Sequence, residues 1–284
     1  MIAITGATGQ LGRLVIQQLL KSVPAAQIVA CVRSLDKAAD LAELGVHVRC
    51  ADYAQPATLE AAFQGVSKLL LISSSEVGQR APQHAAVIAA AQKAGVTLLA
   101  YTSLLRADSS PLGLAAEHVV TEAMLRASGL PHVLLRNGWY TENYTASVPA
   151  ALQYGAVLGS AKEGRIASAT RADYAAAAAT VLTQEGQVGK VYELAGDTAY
   201  TLSDLAAEIA KQSGKPVVYS DMPQSAYAAA LVQVGLPEGF AALLADSDVG
   251  ASQGALFDDG NQLSQLIGRP TAPLADAVKA ALAS

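Results

Sequence analysis

The sequence predicts an α/β protein built on a Rossmann-type doubly wound parallel sheet, with a smaller C-terminal α/β lobe. Short β-branched runs alternate with segments of helical periodicity in the first half of the chain, which is the pattern of a parallel sheet with crossover helices. Glycines at 6, 9 and 12 follow the first run directly. Apolar residues make up 52% of the 284 residues and charged residues 15%, which is typical of a protein with a large buried core.

Six strands and three crossover helices are predicted in the first half of the chain. The strands are 2–5, 28–33, 46–51, 69–73, 98–102 and 132–136. Between the first two, one face of a helix is marked by Leu11, Leu14, Val15, Gln18 and Leu19. Later helices are predicted at 85–94 and 117–127. Successive right-handed crossovers wind such a sheet with helices on both faces.

The pattern changes after Asn137. Strands are predicted at 191–194 and 217–219, and an alanine-rich helix at 172–182. The last stretch, with Asp246, Asp248, Asp258 and Asp259 among glycines, predicts loop and short helix, without the alternating acids and spaced glutamate of a calcium loop. We expect a cofactor domain over 1–137 and a substrate lobe over 138–284 that includes returning segments.

The composition excludes several classes of function. A net charge of −5 gives no basic surface for nucleic acid. No apolar run reaches the roughly 20 residues that span a bilayer, and the start, MIAITGATG, does not resemble a signal peptide. The four histidines are scattered, without the spacing of a metal site. We therefore expect a cytoplasmic protein without a metal, whose two cysteines, Cys31 and Cys50, are buried within strands.

A glycine-rich turn links the first strand to the first helix. It consists of Gly6, Ala7, Thr8, Gly9, Gln10, Leu11 and Gly12. Gly6 permits a tight turn, Gly9 lets the backbone approach a pyrophosphate, and Gly12 lets the helix pack closely on the sheet. The phosphates are then expected on the N–H groups at the positive end of the helix dipole. Because the motif stands between a strand and a helix, it predicts a dinucleotide-binding site.

The end of the second strand indicates which dinucleotide binds. NAD sites usually place an aspartate or glutamate there to accept the ribose hydroxyls, whereas this strand ends in Arg33 and Ser34. A guanidinium suits a 2′-phosphate, so we predict NADPH, with a merely solvated Arg33 as the alternative. Asp52, just past the third strand, is expected to meet the adenine edge or to cap a turn.

Small polar residues follow the next two strands, where a doubly wound sheet opens its crevice. Ser73, Ser74 and Ser75 are expected to let the backbone approach the ribose and nicotinamide, or simply to form a polar loop. Thr102 ends the fifth strand and is expected at the cofactor. Ser103, beside it, either bonds the ribose or caps the next turn.

The sixth strand runs into the letters NGWY at 137–140. An asparagine amide can bond a carbonyl and stabilise charge that develops on its oxygen, and an aromatic wall stacks on a flat acceptor. We therefore expect Asn137, Tyr140 and Tyr144 to bind substrate and Asn143 to polarise it. The alternatives are a turn residue at Asn137 and core packing for Trp139 and Tyr140.

Several motifs together resemble the NmrA-like group of atypical short-chain dehydrogenases over essentially the whole chain. They are TGATGQLG, Arg33, LLLISSSEVGQRAPQH, YTSLL and LLRNGWYTENY. The resemblance implies an NADPH-dependent quinone reductase, with the cofactor on the N-terminal domain and a C-terminal lobe that closes the substrate pocket. It also implies cofactor contacts from the C-terminal half, by Gly138, Trp139, Tyr140, Thr141, Glu142, Asn143 and Arg165.

The chain departs from typical short-chain dehydrogenases in one helix. They pair a catalytic tyrosine with a lysine four residues later, and the corresponding helix here has the letters HVVTE at 118–122, with neither residue in place. Alcohol oxidation needs such a general acid/base. A quinone is less demanding, because hydride addition gives a hydroquinone anion that water protonates, so that positioning supplies most of the catalysis. His118 is a candidate to face the substrate in place of the tyrosine, against a structural role for a lone helical histidine.

Three hypotheses of function follow. The first is NADPH-dependent quinone reduction by hydride transfer without a Tyr/Lys pair, which needs no flavin. The second is a non-catalytic NADP(H)-binding redox sensor of the NmrA type. The third is reduction of another conjugated acceptor, such as an azo or triphenylmethane dye. A chain without a charge block or an exposed amphipathic segment favours an enzyme, for which a homodimer is among the expectations.

Overall fold

Strands and helices alternate along the chain in the computed structural model, which describes residues 1–283. The strands are β1 (Ile2–Ile4), β2 (Ile28–Val32), β3 (His47–Cys50), β4 (Lys68–Leu71), β5 (Leu98–Leu104), β6 (His132–Asn137), β7 (Ala156–Gly159), β8 (Val191–Leu194) and β9 (Val218–Asp221). The helices are α1 (Gln10–Leu19), α2 (Ala39–Glu43), α3 (Pro56–Ala62), α4 (Arg80–Lys93), α5 (Ala115–Ser128), α6 (Thr141–Thr145), α7 (Val148–Tyr154), α8 (Arg171–Thr183), α9 (Leu202–Ser213), α10 (Gln224–Gln233), α11 (Glu238–Ser252), α12 (Gln262–Ile267) and α13 (Leu274–Leu282).

The chain divides into two compact units. Unit 1 comprises Met1–Asp108, Ala116–Asn137 and Arg171–Glu193. Unit 2 comprises Ser109–Ala115, Gly138–Thr170 and the chain from Leu194 onward. One crossing between the units falls after Asn137, where the domain boundary is predicted, and the segment that carries α8 returns to unit 1.

Unit 1 is built on a seven-stranded sheet with the order β3-β2-β1-β4-β5-β6-β8. β1 pairs in parallel with both β2 and β4, and the pairs β2–β3, β4–β5 and β5–β6 are parallel as well. The strand order reverses on either side of β1, which is the arrangement of a Rossmann fold and places a ligand crevice at the carboxyl ends of β1 and its neighbours. The predicted doubly wound parallel sheet is confirmed.

Helices on both faces of this sheet explain why its central strands are buried. All five residues of β2 and all seven of β5 are buried, as expected of parallel strands covered on both sides. On α1, the predicted Leu11, Val15 and Leu19 are buried together with Ile16, whereas Leu14 and Gln18 are only half-buried. Helix α8 packs against α1.

Two predictions of local structure are wrong. The stretch with Asp246 and Asp248 is not loop, since both lie within the 15-residue helix α11. The glycine at position 250 favoured the loop prediction, but it is there for packing. A Cβ at Gly250 would lie 2.2 Å from a methyl group of Leu112. Cys50 is exposed and only Cys31 is buried, because β3 lies at the edge of the sheet.

Unit 2 contains a small sheet of its own. β7 and β9 pair in parallel, and α9 packs on both strands. β9 begins and ends slightly later than the predicted 217–219 strand. Helices α10 and α11 pack against each other. Among residues 1–283, no helix has both the length and the apolar character that a membrane span requires.

Candidate functional site

The glycine turn between β1 and α1 has the geometry that its sequence predicts. Gly6 is left-handed, with φ +58°, and its carbonyl oxygen accepts the N–H of Gly9 at 2.9 Å. A Cβ at Gly12 would lie 2.5 Å from the oxygen of Gly6 and 2.8 Å from the Cα of Ala7, so only glycine lets α1 approach this turn. Helix α1 has neither a side-chain cap nor an acidic residue in its first turn. Its N-terminal N–H groups and positive dipole end therefore suit the pyrophosphate of a dinucleotide.

Two arginines lie beside this turn, and they have different roles. Arg13 on α1 donates from Nε to the oxygen of Thr8 at 3.1 Å and from Nη2 to the oxygen of Lys37 at 2.9 Å, and it pairs with Asp40. It thus ties the glycine turn to the segment after β2, a contact that the sequence does not reveal. Arg33 follows β2 and pairs with Glu76, and its side chain is 67% exposed, so a ligand can reach its guanidinium.

Asp52 lies just after β3, in a turn that it stabilises. Its carboxylate accepts the N–H of Ala54 and the side-chain amide of Gln55, both at 3.0 Å. Its own N–H donates to Thr58 Oγ1 at 2.9 Å. These contacts favour the turn-capping interpretation, and the adenine contact stays a prediction.

The serine loop after β4 is fixed by buried side chains of unit 1. The N–H of Ser73 donates to Thr102 Oγ1 at 2.8 Å. The N–H of Ser74 donates to His84 Nε2 at 3.0 Å, and the backbone carbonyl oxygen of Ser74 accepts from Arg80 Nε at 2.7 Å. Because the backbone N–H and the backbone carbonyl of Ser74 are both held, the loop reaches the carboxyl edge of the sheet with a defined backbone.

The contacts of His84 define its protonation. Nε2 accepts from a backbone N–H, so the proton of the neutral ring is on Nδ1, which lies 2.9 Å from Thr121 Oγ1. The hydroxyl of Thr121 in turn donates to the oxygen of Glu117. Burial, with the charge of Arg80, lowers the pKa of His84 to about 4. His84 is therefore neutral at pH 7 and acts here as a hydrogen-bond acceptor.

His118, a candidate catalytic residue, lies in the interior of unit 1. It is 4% exposed, and its Nδ1 lies 2.7 Å from the hydroxyl of Tyr101. Burial lowers the pKa of His118 to about 3, with a further contribution from the charge of Arg80. The same burial raises the pKa of Tyr101. A neutral, enclosed ring favours the structural role, and a catalytic role for His118 stays a prediction.

Glu122, which stands where a lysine is usual, belongs to a buried ion network. It is 1% exposed and accepts from Arg136 at 2.8 and 2.9 Å and from the hydroxyl of Ser103 at 2.6 Å. Arg136 also pairs with Glu193 at 2.8 Å. Burial alone would raise the pKa of Glu122, but the bonds from Arg136 and Ser103 hold it below its ordinary value. The proton of the Ser103 hydroxyl is thus engaged by Glu122, and a bond to the ribose stays a prediction.

The predicted residues after β6 belong to unit 2 and lie around the start of α6. The N–H of Gly138 donates to the oxygen of Leu194 at 2.7 Å. Thr141 Oγ1 lies 2.8 Å from Ser168 Oγ. Trp139 is 6% exposed, as its core-packing alternative requires. The guanidinium of Arg165 lies 4.4 Å from the centre of the Phe257 ring.

A buried acid that the sequence did not indicate lies beside a predicted substrate residue. Asp248 on α11 is 2% exposed; its Oδ1 accepts the hydroxyl of Tyr144 and its Oδ2 accepts the N–H of Ser160, each at 2.9 Å. Burial raises the pKa of Asp248 to about 6, although these two bonds lower it. Tyr144 is thereby tied to α11, through a carboxylate that also holds the backbone just after β7.

Asn137, at the end of β6, is 5% exposed. Its side-chain oxygen has no hydrogen-bond partner among residues 1–283. An amide oxygen accepts hydrogen bonds, so it suits a donor such as the hydroxyl of a hydroquinone better than a quinone carbonyl. Its role in substrate binding stays a prediction.

The strand order, the glycine turn and the uncapped start of α1 define a Rossmann-type dinucleotide-binding protein. Residues 6–185 match the family described as NAD(P)H-binding, and the chain belongs to this family.

The chain is similar over its full length to oxidoreductases that use NADPH or NADP(H). The chain is 65% identical to quinone oxidoreductase 2 of Escherichia coli (strain K12) over 278 residues, which is 98% of this chain and 97% of the relative. A crystal structure of NADPH-dependent quinone oxidoreductase from Escherichia coli, complexed with NADPH, superposes with a TM-score of 0.97 at 64% identity, covering 99% of this chain and 100% of that one. Triphenylmethane reductase of Citrobacter sp., complexed with NADP(H), gives a TM-score of 0.95 at 43% identity, covering 99% and 100%. The resemblance stated from the motifs is confirmed.

Proposed function

We propose that this protein is an oxidoreductase that reduces quinones with NADPH. The observation that carries the proposal is the full-length likeness to a quinone oxidoreductase whose structure holds NADPH. The glycine turn, the uncapped α1 and the exposed Arg33 support the cofactor, because they offer a pyrophosphate cradle and a cation for the 2′-phosphate.

The proposed reaction converts a quinone, NADPH and one proton into a hydroquinone and NADP⁺. The bound nicotinamide supplies the hydride. No tyrosine or lysine occupies positions 118 and 122, and the side chains there are engaged inside unit 1. The remaining proton therefore comes from water, and the protein's contribution is to bind and orient the two reactants.

Specific roles for residues are part of the proposal. In unit 1, we assign cofactor binding to the glycine turn (6–12), Arg33, Asp52, the serine loop (73–75) and Thr102. In unit 2, we assign it to 138–143 and Arg165. For the substrate, we assign binding to Asn137, Tyr140 and Tyr144, and polarisation of the carbonyl oxygen to the amide of Asn143. Replacing Asn143 by alanine is expected to lower kcat with the quinone by about 10-fold or more.

The first test follows NADPH oxidation on addition of 1,4-benzoquinone, with NADH and protein-free controls. Arg33→Asp is expected to lower kcat/KM for NADPH by about 10-fold to 100-fold, because a charge-assisted bond to phosphate is lost. The value for NADH, which has no 2′-phosphate, should change much less. Lys21→Asp makes the same change of charge at an exposed residue that bonds Gln18, and it should leave both cofactors unaffected.

The same assay separates the alternatives. Tight NADPH binding without turnover of any of several quinones would refute the reductase and favour the redox sensor. Turnover of a triphenylmethane dye in preference to quinones would favour the dye reductase, the alternative supported by the likeness to the Citrobacter enzyme. As part of the proposal we place the protein in the cytoplasm, where NADPH is supplied, and expect a homodimer, which sedimentation velocity would test.

A further inference from the structure

A carboxylate faces the cation that is proposed to bind the 2′-phosphate. Arg33 follows β2 and Glu76 lies in the loop after β4, so the two residues come from the strands on either side of β1. Their side chains form an ion pair, with Arg33 Nη1 2.6 Å from Glu76 Oε1. The end of β2 has no acid of its own, and Glu76 brings one to the same place from another strand.

Glu76 is held in this position by its own loop and by α4. Its second carboxylate oxygen accepts from the side-chain amide of Gln83 at 2.7 Å. Its N–H donates to the hydroxyl of Ser74 at 3.1 Å. Gln83 is 9% exposed, so the carboxylate is directed by a buried side chain and is not a freely moving surface group.

The ion pair itself is exposed enough to be exchanged for another partner. The side chains of Arg33 and Glu76 are 67% and 44% exposed, and pairs of this kind contribute little to stability. A ligand that offers Arg33 a stronger anion can therefore compete with Glu76.

The two nicotinamide cofactors differ at this point. The 2′-phosphate of NADPH carries between one and two negative charges near neutral pH, so Glu76 repels it and neutralises part of the charge of Arg33. NADH has a 2′-hydroxyl instead, and a carboxylate in this region accepts ribose hydroxyls. One side chain thus disfavours NADPH and favours NADH.

We propose that Glu76 is a specificity-determining residue that reduces the discrimination between NADPH and NADH. Arg33 sets the preference for the phosphorylated cofactor, and Glu76 limits that preference. The proposal rests on the assignment of Arg33 to the 2′-phosphate made above. It concerns binding alone and does not depend on which acceptor is reduced.

The test is calorimetric titration of the full-length protein with NADPH and with NADH. Glu76→Gln keeps the size of the side chain and removes its charge. We expect it to strengthen NADPH binding about threefold to tenfold, as for loss of one partly screened charge near a phosphate, and to weaken NADH binding slightly. The gain for NADPH should shrink as salt is raised. Glu60→Gln is the matched control, since Glu60 pairs with Lys93 at 2.7 Å and is 45% exposed, and it should leave the ratio of the two affinities unchanged.

Opposite outcomes overturn the proposal. If Glu76→Gln weakens NADPH binding and leaves NADH unchanged, Glu76 orients Arg33 for the phosphate and does not oppose it. If neither affinity changes, Glu76 has no part in selection. Arg33→Gln is titrated alongside and tests the assignment of Arg33 to the 2′-phosphate. If the ratio of the NADPH and NADH affinities is unchanged in this variant, the phosphate binds elsewhere. If the protein does not reduce quinones, turnover assays would show it, and the affinities measured here for NADPH and NADH would not change.

Discussion

Replacement of Asp248 by asparagine is expected to stabilise the protein at neutral pH and not in acid. In the folded protein the pKa of Asp248 is raised from 3.8 to about 6, mainly by burial. The folded state therefore binds the proton of this carboxyl more tightly than the unfolded state does. It follows that the free energy of unfolding falls as pH rises from about 4 through 6, and the stabilisation is lost above that range.

The magnitude follows from the two pKa values. A difference of about 2.2 pH units between 3.8 and about 6, at about 1.36 kcal/mol for each unit, amounts to about 3 kcal/mol. About half of it is lost between pH 5 and pH 7.5. An asparagine resembles the protonated acid: its oxygen can accept the N–H of Ser160 while its amide donates to the oxygen of Tyr144. The variant avoids burying a charge, so its stability should gain on that of the wild type by up to about 3 kcal/mol between pH values below about 4 and above about 6.

Urea unfolding at several pH values between 4.5 and 8 measures the effect. The control is Asp246→Asn, on the same helix, where the half-buried carboxylate accepts the N–H of Gly113 at 3.0 Å, and it should show no such gain. If Asp248→Asn shifts the free energy of unfolding by the same amount at every pH, the carboxyl does not titrate with a raised pKa. The reasoning from burial would then be wrong.

Three further predictions concern unit 1. Gly12→Ala should cost about 1–3 kcal/mol of stability by forcing α1 off the glycine turn, and should weaken NADPH binding, as measured by titration of NADPH fluorescence. His84→Leu leaves the N–H of Ser74 without an acceptor, which should cost about 1–3 kcal/mol and raise KM for NADPH more than it lowers kcat, whereas His84→Gln should recover part of both. Glu122→Gln should lower stability in urea by about 2 kcal/mol or more because Arg136 loses a buried charge partner, with kcat unchanged.

Each of these three has an outcome that contradicts it. Gly239→Ala is the control for the first, since a Cβ there meets nothing within 4 Å; equal effects at both glycines would deny the close approach at Gly12. Equal behaviour of the leucine and glutamine variants of His84 would show that its size matters and its acceptor does not. A large fall in kcat for Glu122→Gln at unchanged stability would place Glu122 in the catalytic machinery.

The sheet could be predicted because its signals are local. The central strands of unit 1 are short buried runs rich in apolar residues. The glycine turn is marked by Gly6, whose φ is positive, and by Gly12, where a Cβ would clash with the turn. The errors arose at residues whose identity or exposure is explained by tertiary contacts and not by the local sequence. Gly250 breaks no helix because it makes room for Leu112, and Cys50 is exposed because β3 is an edge strand, a fact that no single run of sequence contains.

The sequence names candidate residues for the site but does not show which side chains they contact. Arg33 is evident from the end of a strand, whereas its neighbour Glu76 lies 43 residues away and meets it only because β2 and β4 flank β1. The acceptor role of His84 likewise depends on the loop that folds over it. A sequence gives the order of groups along the chain, but which charges oppose each other depends on strand order.

The contacts at positions 118 and 122 constrain the chemistry more than their identities do. A histidine or a glutamate could in principle transfer a proton. Here His118 has a pKa of about 3 and bonds Tyr101, and Glu122 is ionised and held by Arg136 and Ser103. Neither group is in a state to donate a proton at pH 7. The reaction that suits such a helix is hydride transfer to an acceptor whose reduced anion is stable until water protonates it, and a quinone meets that requirement while a simple ketone does not.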